Sequence, residues 1–396
     1  MKNKLMINLF FILLVLPLCS AAHYIVGIVE NAKDGTLANG QTVLLWNPSV
    51  GIQDNLTDIV GPTGNSGTDN IYMIDCEMLS SGCNISSILT LMVTNDGDNY
   101  LSRQMNVTVG GFGYDLVNNI TLHSPPNVSE VFFDDFLESP QNEIDLIPAD
   151  VREIICNSTA FSYDGEYSIT NASAKLFDNV NSLYDSLDDN NSHYTNYSCD
   201  IDYSYGNSDE VKISCKFNLW YYANSENWNC TIETMDNLST YGRGGDLSFV
   251  NPLLALGLDS IATFNLNIGQ ITDEEQLNVT NYGNVKINLS LSGYAATEND
   301  GLSMNCTEGD KNISINYTKF NLTTSNPGAI TLTDFQNEYT NLTSYPKVKD
   351  FNLNYRQNEN ANEAVDSTYW RIYVPSTVSG NCQGNIIFGA VQAPGD

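Results

Sequence analysis

Between Cys199 and Cys230 the chain reads CDIDYSYGNSDEVKISCKFNLWYYANSENWNC, and few folds accommodate such a stretch. It folds symmetrically about Asn207, with Cys199 opposite Cys215 and Gly206-Asn207 as the turn. Tyr197, Ile201 and Tyr203 alternate along one strand, while Val211, Ile213, Cys215, Phe217, Leu219 and Tyr221 share one face of the other. A hairpin with one apolar face needs a second layer to bury it. The stretch therefore predicts a disulfide-stapled β-sandwich core.

The amino terminus reads as an address. Lys2 and Lys4 precede an apolar run from Leu5 to Leu18, and Ser20-Ala21-Ala22 offers a cleavage site, so residues 1–22 are expected to be a secretory signal peptide. Cys19 would leave with it, and the mature chain would begin at His23. No second run approaches the roughly 20 apolar residues that span a bilayer, and AVQAPGD at the end is no lipid-anchor tail. A soluble exported product is expected. Eight cysteines remain, an even number with no C-x-x-C among them, which favours disulfides over metal ligands. Hairpin symmetry pairs Cys199 with Cys215, and Cys156, after Ile154-Ile155, is the natural mate of Cys230. Cys76 and Cys83 would clip a loop around Gly82, leaving Cys306 with Cys382, one connectivity among the roughly 105 that eight cysteines permit. The formal charge of −31, from 47 acidic against 16 basic residues, repels nucleic acid.

N-x-S/T acceptors are in excess. Chance would give about eight in a chain with 51 asparagines, yet eighteen occur. They are Asn55, Asn84, Asn106, Asn119, Asn127, Asn157, Asn171, Asn190, Asn196, Asn229, Asn237, Asn278, Asn288, Asn305, Asn312, Asn316, Asn321 and Asn341. The middle residue is apolar, aromatic, alanine or cysteine in all but two, Ser158 and Asn191. In a strand, Asn and Ser/Thr two apart project to one face and the middle residue to the other, so each acceptor presents a sugar site outward and a core residue inward. Asn229 and Thr231 outward put Trp228, Cys230 and Ile232 inside. Asn305 and Thr307 do the same for Cys306, and Asn288 and Ser290 for Ile287, Leu289 and Leu291.

In chain order, Val26-Gly27-Ile28-Val29, the Asp34-Gly35 turn and Val43-Leu44-Leu45 resemble the opening of carboxypeptidase-regulatory-like or transthyretin-like sandwiches. That resemblance implies a stalk or docking module over residues 23–123. Residues 124–150 are an acidic, Pro-containing connector whose Val131, Phe132, Phe133 and Phe136 should pack along a domain or add a strand to it. Residues 151–245 read as a disulfide-stapled β domain with one amphipathic helix, Ala172 to Asp188, because Leu176, Phe177, Val180, Leu183, Tyr184 and Leu187 follow helical spacing. Residues 246–396 read as a C-terminal β-sandwich. The expected fold class is mainly β, with tandem antiparallel Ig-like or transthyretin-like sandwiches. The leader, the acceptor-studded strands, NLWYYANSENWNCTIE and the closing YW…P…GNC-GNIIF together resemble large secreted surface glycoproteins of small-genome archaea, and the N-x-G-N motif resembles sandwich subunits of surface filaments. What this implies is a surface location with a structural or adhesive role.

Catalytic patterns fare poorly. His23 at a new amino terminus suits a copper monooxygenase only with a second histidine, His123 or His193, and neither lies in a matching motif. Gly64-Asn65-Ser66-Gly67 is similar to the nucleophile loop of chymotrypsin-like proteases, but His23 is the sole mature histidine before it. The acidic turns Asp96-Gly97-Asp98, Asp164-Gly165-Glu166 and Asp188-Asp189 suggest calcium, yet none completes an EF-hand ladder. Asp134-Asp135 with Glu138 sit too close in sequence to frame a sugar bond. Trp220 and Tyr222 have two readings: a platform for stacking sugar rings, or burial beneath the Ala172 to Asp188 helix. The expectation is a non-catalytic, N-glycosylated structural or adhesive surface protein without a resident cofactor. Its partners would be other surface proteins or glycans, or further copies of itself. Carbohydrate binding and filament assembly by strand addition are the alternatives.

Overall fold

The computed structural model describes residues 22–394 apart from 95–99, 112, 136–141, 266 and 310–311. The leader up to Ala21, the Asp96-Gly97-Asp98 turn, Phe136 and Glu138 lie outside the described residues. The fold is mainly β, and its sheets, antiparallel except where Tyr114–Leu116 and Ile120–Thr121 join Tyr24–Glu30 and Glu143–Ile144 joins Tyr241–Val250, enclose successive hydrophobic cores.

The first core is built by β1 (Tyr24–Glu30), β2 (Thr42–Trp46), β3 (Asn55–Ile59), β4 (Ile71–Asp75), β5 (Ile88–Val93), β6 (Met105–Thr108), β7 (Tyr114–Leu116) and β8 (Ile120–Thr121). One sheet runs β4-β1-β7, with β8 also on β1, and the other β3-β2-β5-β6. Ile25, Val43, Leu45, Leu89 and Leu91 fill the space between them. Gly27 lies opposite Tyr72, and a Cβ there would meet the Tyr72 ring, so the glycine makes room for a buried aromatic. Cys76 and Cys83 are joined beside β4.

The middle core contains β9 (Asn127–Asp134), β10 (Glu143–Ile144), β11 (Val151–Phe161), β12 (Ile169–Asp178), β13 (His193–Asn196), β14 (Asp200–Asp202), β15 (Glu210–Trp220), β16 (Asn227–Asp236) and β17 (Tyr241–Val250). The sheet β14-β15-β11-β9 faces the sheet β10-β17-β16-β12-β13. The connector supplies an edge strand to each, β9 on β11 and β10 on β17, and the middle core runs past residue 245 because β17 continues to Val250. Asp200 pairs with Ser214 and Ile201 with Ile213, which puts Cys199 beside Cys215, and the two are bonded. The Cys156–Cys230 bond crosses from β11 to β16, tying one sheet to the other. Trp228 is fully buried nearby and donates its indole N–H to the Asn224 carbonyl at 2.9 Å.

The helix expected over Ala172 to Asp188 does not form. Ala172, Ala174 and Leu176 alternate inward along β12, paired to β13 and β16, and Val180, Leu183 and Leu187 are exposed. Asp178 ends the strand: its buried carboxylate accepts from Val180 N at 2.8 Å, from Asn181 and from Asn224. The Asn, Asp and Ser side chains that follow bind nearby backbone and hold the segment in turns, as Asp189 does with the amides of Asn191, Ser192 and His193.

The third core has β18 (Leu256–Leu258), β19 (Glu275–Asn281), β20 (Ile287–Tyr294), β21 (Leu302–Gly309), β22 (Asn312–Ser314), β23 (Thr318–Asn321), β24 (Thr340–Asn341), β25 (Lys347–Leu353), β26 (Ala364–Ile372), β27 (Val378–Gln383) and β28 (Asn385–Gln392). The sheet β18-β19-β26-β23-β24 packs against β25-β20-β28, and β22-β21-β27 forms a smaller sheet that carries the Cys306–Cys382 bond. Trp370, Phe320, Leu289 and Leu291 lie inside. The α-helix of the described residues, α1 (Leu332–Glu338), belongs here rather than in the middle core, and Thr331 and Asp334 close its first turn as a capping box.

Candidate functional site

The acceptor parity can be followed position by position. The middle residue is buried in twelve of the eighteen acceptors, including Val107, Val128, Cys230, Cys306 and Ile313. It is exposed at Ile85, Tyr197 and Tyr317, which lie outside strands, where alternation gives no guidance. Asn288 departs from the outward projection: it is 3% exposed, and its carboxamide oxygen accepts from the Phe351 and Asn352 amides at 2.9 and 3.0 Å. The β20–β25 register shifts between Ile287 and Leu289, and the Asn288 side chain replaces the missing ladder bonds.

Trp220 and Tyr222 do not form an open strip. Tyr222 is 1% exposed beneath the Arg356 guanidinium, 4.6 Å from the ring centroid, at the junction of the middle and third cores. Trp220 stacks on it with centroids 5.9 Å apart and remains half-buried, lining a groove of about 460 Å³ with Tyr197, Asn190, Asn196 and Asn218. That junction is dense: Asn284 donates to the Ala223 and Asn251 carbonyls, Tyr355 donates to Asn224, and the Tyr221 hydroxyl donates to Glu363. Burial and the neighbouring Glu363 carboxylate push the Tyr221 phenol up.

The three histidines serve carboxylates. His23 bonds Asp115 at 2.8 Å. His193 bonds Asp188 at 2.7 Å and the Tyr184 carbonyl. His123 lies between Asp164 and Asp236, where Lys33 also meets Asp164, and so links the first core to the middle core. Burial pushes the Asp236 carboxyl up, but hydrogen bonds from His123 and Thr240 outweigh it and hold the group below the usual carboxylate range. Ser66 donates to the Ile71 carbonyl at 2.7 Å, inside its own loop. Asp134 accepts from the Asp135 amide, and Asp135 from the Asp145 amide. No group of three or more His, Cys, Asp or Glu residues placed to hold a metal occurs among the described residues. No described helix is long and apolar enough to cross a membrane.

The sheet edges differ sharply in what guards them. Seven edge strands (β3, β6, β8, β9, β13, β22 and β24) carry or overlap an acceptor, and five (β4, β7, β10, β14 and β25) carry charged residues, such as Lys347 and Lys349 on β25. Of the rest, β18 is only three residues long, and β27 contains Gly380 at φ 83° and a register shift. That leaves β28, NIIFGAVQ, with eight residues, no charge, no proline and no acceptor. It pairs with β20 along its whole length in unbroken register and with no other described strand. Beside it an apolar cleft of about 250 Å³ opens into the third core. Ile386 and Phe388 of β28 line it together with Ile261, Phe264, Leu277 and Ile372. The uncharged GNIIFGAV run was the sequence signal for this edge. Its place at the rim of a sheet is set by topology alone.

No family model and no curated protein matches the chain. Among solved structures, the chain is similar to BcpA, the major pilin subunit of Bacillus cereus, with 8% identity, 89% of this chain and 85% of that one covered, and a TM-score of 0.28. The full-length major pilin SpaD from Corynebacterium diphtheriae gives 8% identity, 94% and 87% coverage and a TM-score of 0.29. A putative adhesin from Bacteroides ovatus gives 5%, 58% and 83%, and 0.21. Overlap at this level says nothing about how the chain acts.

Proposed function

We propose that this chain is a secreted, N-glycosylated structural or adhesive component of a cell surface, acting mechanically and not as a catalyst. The observation that supports it is the covalent stapling of every core, combined with side-chain bridges across both junctions, His123 on one side and the Asn284–Tyr221 cluster on the other. Disulfides suit an oxidising exterior, and stapled sandwiches resist extension. Acceptors on outward faces, together with the charge of −31, would keep those faces hydrated. Surface biotinylation of intact producing cells, followed by glycopeptide mass spectrometry, tests the reading. The expected result is a labelled protein with glycans at exposed acceptors such as Asn106, Asn127 and Asn305 and none at Asn288. An intracellular, unmodified protein with free thiols would overturn it.

The Trp220 groove favours a second reading, carbohydrate binding. One indole face is backed by Tyr222 while carboxamides line the rim, the combination that sugar hydroxyls and C–H faces require. Loss of glycan binding on Trp220→Ala, with thermal stability retained, would support it. Unchanged binding would remove it.

A further inference from the structure

We propose that β28 is a homotypic docking edge. Two copies of this chain would pair β28 antiparallel across a two-fold axis, continuing the sheet β25-β20-β28 into its counterpart in the second copy. The proposal deepens the surface-protein reading and takes its extracellular setting from it.

Three observations carry it. The first is selective protection. A long, regular, apolar edge is a template for pairing, and proteins ordinarily blunt such edges with charge, bulges or cover. This chain does so on β25, the other edge of the same sheet, with Lys347, Lys349 and a register shift, and leaves β28 bare.

The second is charge. A chain of −31 repels its own copies, and β28 offers an eight-residue edge with no charge, so two copies meet there without like charges in opposition. The third is backbone polarity. The Ala393 amide donates to the Lys286 carbonyl of the strand beside it, so odd-numbered residues of β28 face β20. By antiparallel alternation, the N–H and C=O groups of Ile386, Phe388, Ala390 and Gln392 then point out of the sheet edge. An antiparallel register centred on Gly389 sets Phe388 against the second copy's Ala390, large beside small.

The test is sedimentation equilibrium of the native, glycosylated protein over a wide concentration range, with hydrogen exchange on the same samples. The expected result is a monomer–dimer equilibrium in which the Ile386, Phe388, Ala390 and Gln392 amides become protected as dimer forms. Ile387→Lys charges the exposed face of the edge, where Ile387 is 43% exposed. Ala390→Pro removes an N–H that points away from β20 and so spares the native ladder. Each substitution should return the mass to monomer with the disulfides and circular dichroism unchanged, while Lys349→Glu on the opposite edge leaves the dimer intact. A monomer at every concentration, a dimer indifferent to both β28 substitutions, or a mass that climbs past the dimer would overturn the two-fold pairing. A monomer that still labels on intact cells sinks the pairing alone. A dimer absent from the surface sinks the surface reading alone.

Discussion

The middle and third cores are built from the same alternating strands and secured in opposite ways. In the middle core, Cys156–Cys230 joins the two sheets face to face, and the sheet edges carry acceptors or acids. In the third core, Cys306–Cys382 joins neighbours within one sheet, so nothing covalent holds the two large sheets together at the side where the cleft beside β28 opens. A bond between sheets resists their separation, whereas a bond between neighbouring strands resists only the sliding of those two. The middle core is thus closed by a bond between its sheets, and the third core is not.

Removing the staples tests this division most severely. The loops closed by Cys156–Cys230 and Cys306–Cys382 are nearly equal, 74 and 76 residues of separation. Chain entropy alone therefore predicts that replacing either pair with alanine costs about 4 kcal/mol. Because the middle bond also holds two sheets, denaturant unfolding should show the larger loss for that pair. Equal losses would remove the distinction. Tyr222→Ala should cost roughly 3 kcal/mol, since the ring is buried under Arg356, while Trp220→Ala should cost about 1 kcal/mol or less. Equal effects would mean that the junction is no more packed than the groove. Asn288→Ala should cost about 2 kcal/mol by leaving the Phe351 and Asn352 amides unpaired in the third core. A neutral result would mean that the bulge opens to water.

The smallest effect is on pH. The Asp236 carboxyl is held below its ordinary value of 3.8, so its contribution is present above that pH and is lost as acid protonates it in the folded state. Acid titration of native-state exchange should therefore loosen the link between the first and middle cores as the pH falls below the ordinary carboxylate range. A link that opens no further in acid would contradict that role for Asp236.

Much of this architecture was legible because strands write a short code. Hairpin symmetry about Asn207 gave the register of Cys199 and Cys215, and the inward face Val211 to Leu219 followed from period two. The Ala172 to Asp188 misreading shows where that code competes: Ala172, Leu176 and Val180, four apart, fit both periods over a short window. The Asn, Asp and Ser side chains between them decide for strand then turn. Tyr222 is buried, as one of its two readings expects, but under Arg356, 134 positions along the chain, and not under a helix, while Asn288 turns inward because a bulge reverses what alternation predicts. The bare edge of β28 was visible as an uncharged apolar run. That it lies at a rim follows only from the order β25-β20-β28, a nonlocal property.

Single-molecule extension of the native protein, with and without a reductant, tests the stapled architecture most directly. The loops closed by Cys76–Cys83, Cys156–Cys230 and Cys306–Cys382 are hidden from force while oxidised, and Cys199–Cys215 is nested inside the second. At ~3.5 Å per residue, reduction should lengthen the fully extended chain by about 55 nm and lower the force at which the middle core yields. Identical extension in both conditions would contradict the account.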